Sequence, residues 1–179
     1  MTGLILAFAA AAAAQVQLAP FVVAGNSPAA ICADAAQARS DDASAMIACN
    51  DALATPLSAR ERVATLNNRG ALELIASRFA AAETDFDAAI ALQPTEAEAW
   101  LNKALSQQTR GDSLAAIASF DKALALGTHR PELALLGRGL AHEKSGDLHA
   151  AYADLQRARE LAPAWQPATA ELARYQIKR

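Results

Sequence analysis

Apolar residues recur at helical spacing through most of the chain, most clearly over residues 97–130, AEAWLNKALSQQTRGDSLAAIASFDKALALGTHR. Trp100 and Ala104 mark the apolar side of one segment, and Ala116, Phe120 and Ala123 that of the next. Gly111-Asp112 between them supplies a left-handed helix stop followed by an N-cap. This stretch therefore predicts two short amphipathic helices in a hairpin. A unit of that size cannot bury its own apolar face and must stack on neighbours.

Neighbours are present in register. Ala82, Phe86, Ala89 and Pro94 precede Ala116, Phe120, Ala123 and Thr128 by 34 positions, and Ala151, Leu155, Ala158 and Pro163 follow by 35. The extra residue falls in the joint Thr128-His129-Arg130-Pro131. First helices align as well, through Leu66 and Gly70, Trp100 and Ala104, Leu135 and Gly139. Small residues permit close helix approach and large ones fill the space beside them. Gly146-Asp147 repeats the turn chemistry, whereas the first copy has Ser77 in the glycine's place. Ser58-Ala59-Arg60-Glu61 and Thr95-Glu96-Ala97-Glu98 read as capping boxes opening two first helices.

Upstream, Ile31, Ala35 and Ala38 and then Ala45, Cys49, Ala52 and Leu53 show helical spacing around a polar turn, Arg39-Ser40-Asp41-Asp42. Ser27-Pro28 reads as an N-cap with proline at the first helical position. This hairpin is a degenerate preceding unit, offset by 37 because Thr55-Pro56-Leu57 lengthens the joint. Downstream, residues 166–179 carry Ala170, Leu172, Ala173 and Ile177 beside Glu171, Arg174, Lys178 and Arg179. They read as a capping helix with a polar outer face, the alternative being a frayed tail.

On these residues the chain resembles the tetratricopeptide repeat family over 63–165. Its pattern asks for Trp, Leu, Gly and Tyr in the first helix and Ala, Phe, Ala and Pro in the second. Trp100, Gly70, Gly139, Ala82, Ala116, Ala151, Phe86, Phe120, Ala89, Ala123, Ala158, Pro94 and Pro163 meet it. Ser77, Ala104, Leu155, and Glu73, Gln107 and His142 at the tyrosine position depart from it. The resemblance implies an all-α, right-handed α-solenoid of helical hairpins whose first helices line a concave groove for extended peptides or partner helices. The implied groove positions are Asn67, Asn68, Ala71, Leu74 and Ile75, then Glu98, Leu101, Asn102, Leu105 and Gln108. The third copy adds Leu133, Leu136, Leu140, Glu143 and Lys144. Asn68 and Asn102 share one repeat position, where family members often hydrogen-bond a ligand backbone, an amide being both donor and acceptor. The competing reading has the asparagines bonding neighbouring helices or water and the leucines forming inter-repeat core. No lysine set matches the subclass that grips a C-terminal carboxylate.

Composition narrows the remaining classes. The 179 residues are 53% hydrophobic but only 5% aromatic, so much of the apolar count is alanine, suited to closely packed helices. A formal charge of −3 and a pI near 5.6 leave no basic footprint for nucleic acid. His129, His142 and His149 share no ligand spacing, so no metal is expected, nor any cofactor. Asp85 and Asp87 lie on different helix faces, where solvated charge is the expectation. With no serine elbow, phosphate loop or paired catalytic carboxylate, an enzyme is not expected.

Residues 4–14, LILAFAAAAAA, form an apolar run too short for a bilayer but of the length of a secretory signal's centre. Cleavage after Ala14 or Ala24 is expected, although no Lys or Arg precedes the run; an uncleaved membrane anchor and a buried helix are the alternatives. Cys32 and Cys49 lie symmetrically about the polar turn, so they face each other across an antiparallel hairpin. Export would place them in an oxidising compartment, which favours a disulfide over two buried thiols. The resulting expectation is a signal over 1–24, a cysteine-stapled hairpin over 25–57, three repeats over 58–165 and a cap over 166–179. It describes a non-catalytic module of the cell envelope or periplasm that binds a protein or peptide. One alternative is a solenoid that self-assembles through its ends with an empty groove; another is a cytosolic or membrane-tethered co-chaperone with reduced thiols. Alkylation of the native protein under non-reducing conditions should find no free thiol, and two reactive thiols would refute the staple.

Overall fold

The computed structural model describes residues 27–40 and 42–175. The apolar run at 4–14, its two candidate cleavage points, Asp41 and residues 176–179 lie outside these. Among the described residues there are nine α-helices and no strand: α1 (Pro28–Ala38), α2 (Ala43–Ala54), α3 (Ala59–Ile75), α4 (Phe79–Leu92), α5 (Ala97–Arg110), α6 (Ser113–Ala125), α7 (Pro131–Ser145), α8 (Leu148–Leu161) and α9 (Gln166–Leu172). A single 3-10 turn, Ala173–Tyr175, follows α9. The expected terminal helix over 166–179 is thus only seven residues long before its geometry tightens.

The helices pair as hairpins α1/α2, α3/α4, α5/α6 and α7/α8, and each second helix packs on the next first helix. First helices α3, α5 and α7 also touch in succession. This connectivity is an α-solenoid, with a core that runs through the hairpins rather than sitting at one centre. Its middle is Leu101, Ala104, Leu105, Phe120, Leu133 and Ala134, and Leu136, Leu155 and Ala168 continue it toward α9. At the other end Cys32, Ala36, Ala45, Cys49 and Leu72 form the first cluster. The cysteines form the expected disulfide, with Cα atoms 4.8 Å apart and both side chains fully buried.

Turn geometry explains the register. Gly111 and Gly146 end α5 and α7 at φ 93° and 92°, and the next amide returns to the first helix: Asp112 N to Gln107 O and Asp147 N to His142 O, both 2.9 Å. Ser77 makes the same turn at φ 59°, with Arg78 N donating to Glu73 O at 2.8 Å; Arg39 does so at φ 55°, with Ser40 N donating to Ala35 O at 2.9 Å. All four turns therefore share one backbone solution, two of them with a Cβ in the left-handed region.

Counting from these stops places Cys32 at the position of Gly70, Ala104 and Gly139. Here the helices of a hairpin approach most closely: a Cβ on Gly70 would lie 2.6 Å from the Phe86 ring, and one on Gly139 3.2 Å from Leu155. In the middle hairpin Ala104 takes that place, and the Phe120 ring instead occupies the space a Cβ on Gly137 would need. Gly137, which the repeat pattern did not single out, is the glycine that Phe120 requires.

Capping follows the sequence in part. Ser58 and Glu61 form a reciprocal box, Ser27 accepts from Ala30 N, and Asp147 accepts from Ala150 N. The box expected at Thr95 does not form: Glu96 is the N-cap of α5 without a side-chain capping bond, its carboxylate accepting from Gln93 Nε2 at 3.1 Å, and Glu98 is turned to another task described below. Asp112 likewise caps α6 only through its backbone position. Ser77→Gly and Arg39→Gly should each raise unfolding free energy by about 1 kcal/mol, since a Cβ in the left-handed region costs roughly that amount. Urea denaturation checks this, and a loss at either position would show that its side chain contributes more than the strain costs.

Candidate functional site

The site implied by the repeats is the face made by α3, α5 and α7. Their register places Asn67 and Asn68 on α3 beside Leu101 and Asn102 on α5, with Leu136 and Gly137 in the corresponding places on α7. Asn102 Nδ2 donates to Asn67 Oδ1 at 3.0 Å across α3 and α5, so Asn102 pairs with the neighbour of its repeat equivalent rather than with Asn68 itself. Asn67 and Asn68 are each 1% exposed and Asn102 is fully buried. Leu101, Leu105 and Leu136 are buried, whereas Leu74 and Leu140 are half-buried against the two larger clusters. Gln108 and Glu143 are also half-buried and Lys144 is exposed, so accessible groove positions lie toward the C-terminal ends of these helices.

Three buried polar atoms on this face have no hydrogen-bond partner: Asn68 Nδ2, Asn102 Oδ1 and Glu98 Oε2. The other Glu98 oxygen, Oε1, accepts from Thr128 Oγ1 and His129 N, both at 2.7 Å, and so clamps the joint lengthened by one residue. Nearby, burial lowers the pKa of Arg130 against the pull of Glu132 and Glu98, and burial raises that of Glu96. Among the described residues no group of three or more His, Cys, Asp or Glu is placed to hold a metal.

The flank of the face holds charges that the pattern of apolar residues did not reveal. Arg69 donates twice to Asp85, at 2.8 and 2.6 Å, and once to Asn50 in the preceding hairpin at 2.8 Å. Arg138 repeats this with Asp154, at 2.8 and 2.7 Å, and with Asp121 in the preceding hairpin at 2.5 Å. Lys103 holds the same repeat position and reaches back to Asp87 at 2.5 Å, while Ser119, standing in for the aspartate, donates to Gln107 at 2.7 Å. These bonds raise the pKa of both arginines. Asp85 is 4% exposed, which corrects the expectation of solvated charge there; Asp87 is exposed and paired. The signal was available, since Arg69, Lys103 and Arg138 recur at 34 and 35 positions as the apolar residues do.

Stacked hairpins with first helices on one face define a helical-repeat α-solenoid protein. A family model for the tetratricopeptide repeat matches residues 67–131 and 101–165, together more than half of the sequence. The chain belongs to the tetratricopeptide repeat family. No curated protein matches it. Among solved structures it is similar to the first repeat domain of Spaghetti (RPAP3) bound to the HSP90 peptide SRMEEVD, at 21% identity and a TM-score of 0.61 over 66% of this chain and 92% of that one. The Arabidopsis OM64 repeat domain gives 22% and 0.63, over 65% and 96%. MamA gives 21% and 0.65, over 79% and 80%. At these identities the likeness is one of fold. Domains of the family mediate protein–protein interaction, and no catalytic family is indicated.

The shift at Glu96 sets a pH dependence. A carboxyl whose folded pKa is raised stabilises the fold fully below its ordinary value of 4.5, and that contribution is lost as pH rises through the folded value. At neutral pH an ionised Glu96 is therefore a cost. Glu96→Gln should melt higher than the parent at pH 7, with the gap closing below about pH 4; an unchanged gap would assign the effect to something other than ionisation.

Proposed function

We propose that this chain is a non-catalytic interaction module that holds an apolar peptide segment or partner helix along the face of α3, α5 and α7. The observation that carries the reading is that the accessible part of this face lies toward the C-terminal ends of its helices, where Gln108 and Glu143 are half-buried. Leu74 and Leu140 supply half-buried apolar surface beside them. The peptide bound by the Spaghetti (RPAP3) domain supports the same use of a similar fold.

The proposed setting is the periplasm or cell envelope. The buried Cys32–Cys49 disulfide supports it, because such bonds persist in oxidising compartments, and the apolar run at 4–14 agrees with it.

Photo-crosslinking in cells tests the binding face. A crosslinker at half-buried Gln108 should capture a partner that one at exposed Ala118, on α6, does not. Equal capture from both would reject the groove; adducts only to a second copy of the chain would favour self-assembly, with a mass that grows with concentration in light scattering. Intact mass of the same material should show loss of the N-terminal segment, and an unprocessed chain would overturn the export reading.

A further inference from the structure

Three exposed leucines belong to the repeat: Leu92, Leu126 and Leu161 recur at 34 and 35 positions, where second helices end. Two other exposed apolar residues do not. Leu114 of α6 is 77% exposed, and its repeat equivalents are Ala80 and His149. Ile47 of α2 is 59% exposed, and its equivalents are Thr84, Ala118 and Ala153. The fold accepts small or polar residues at both places, so packing within the chain does not call for the larger ones.

Both residues line clefts at equivalent joints, α2 on α3 and α6 on α7, along the edge of the solenoid where the hairpins turn. Ile47 and Met46 share a cleft of about 330 Å³ with Leu72 and Ala76 from the end of α3, and Asp42 and Arg78 are its charged members. Leu114 lines a wider cleft of about 600 Å³ between the start of α6 and Ser145, with Asp112 as its acid. Lys144 lies beside that one, since a Cβ on Gly111 would be 2.9 Å from its Nζ. Apolar clefts rimmed by polar residues mark docking surfaces. Each of these has an apolar side chain held out to solvent, one acid and one base.

We propose that a second copy of this chain covers this edge, related by a two-fold axis, with Leu114 of each copy seated beside Ile47 and Met46 of the other. A two-fold sets one residue against a second and the second against the first, so both clefts of both copies are used at once. The same docking brings Asp112 to Arg78 and Lys144 to Asp42, matching acid to base at every rim. All four charged side chains are exposed; within the chain Asp112 is met by Arg110 at 3.4 Å and Arg78 by Glu73, which leaves donors and acceptors for a second partner. The proposal stands apart from the groove reading, because Leu114 and Ile47 are on second helices.

Sedimentation of the oxidised full chain should give a mass that rises with concentration toward that of two chains. Leu114→Ala and Ile47→Ala put in residues that equivalent positions already carry, so they should melt as the parent does at low concentration, yet each should weaken self-association about tenfold. In a mixture of isotope-labelled and unlabelled chains, a photo-crosslinker at Leu114 should join two copies, with adducts on the segment holding Met46 and Ile47. A single-chain mass at every concentration, adducts only to another protein, or adducts elsewhere on the second copy would overturn the proposal. Capture of a partner from Gln108 should be the same in the parent and in Leu114→Ala, so the groove reading can fail or stand independently.

Discussion

The solenoid depends on the crossing point of each hairpin, which in its direct form is a small residue of the first helix admitting a bulky one of the second. Gly70 under Phe86 and Gly139 against Leu155 are the direct forms. In the middle hairpin Ala104 holds that position, and the Phe120 ring fills the space at Gly137 of the next first helix, so that it binds two hairpins at once. In the first hairpin the crossing is Cys32 and Cys49, where a covalent bond stands in place of aromatic packing. The substitution is physically apt. The α1/α2 hairpin is largely alanine and has little apolar mass to hold it shut, whereas closing its loop is worth roughly 3 kcal/mol in the chain-entropy model.

Once the crossings fix the hairpins, the polar residues fix the stacking. The cations at Arg69, Lys103 and Arg138 each reach back to the preceding second helix, and the two arginines also grip an aspartate of their own hairpin. An arginine fork suits this double role because its planar donors serve two acceptors, while the lysine of the middle hairpin serves one. The middle hairpin compensates with the neutral Ser119–Gln107 bond and with Phe120, which already ties it forward. Apolar and ionic ties therefore divide the work between successive joints.

The fold was legible because it is written in a period. Hairpin boundaries, the pairing of Cys32 with Cys49 and the unusual turn at Ser77 all follow from counting positions, and the left-handed φ at Ser77 bears out the last. Destinations of polar side chains were less legible. Glu98 could have closed a capping box with Thr95, and local spacing favours it, but Thr128 and the His129 amide compete successfully from 30 and 31 residues away. Asp85 could have pointed to water, and Arg69 draws it in. Asn102 shares a repeat position with Asn68 and bonds Asn67, a pairing across adjacent first helices that the alignment of repeats does not name. In each case a partner distant in sequence decides, and the pattern of one segment does not name it.

The same distinction separates what shapes the binding face from what it can recognise. A solenoid gains stability from each unit's neighbours, so its ends are held least. Here the N-terminal hairpin is held by a disulfide, and α9 is drawn onto the last repeat by Arg174, which bridges Glu171 and Glu143, and by Tyr175 tilted against Tyr152. Between these fastened ends the first helices α3, α5 and α7 touch in succession. The surface these helices still offer is the half-buried part at Leu74, Gln108 and Leu140, while the Asn102–Asn67 bond lies within the scaffold.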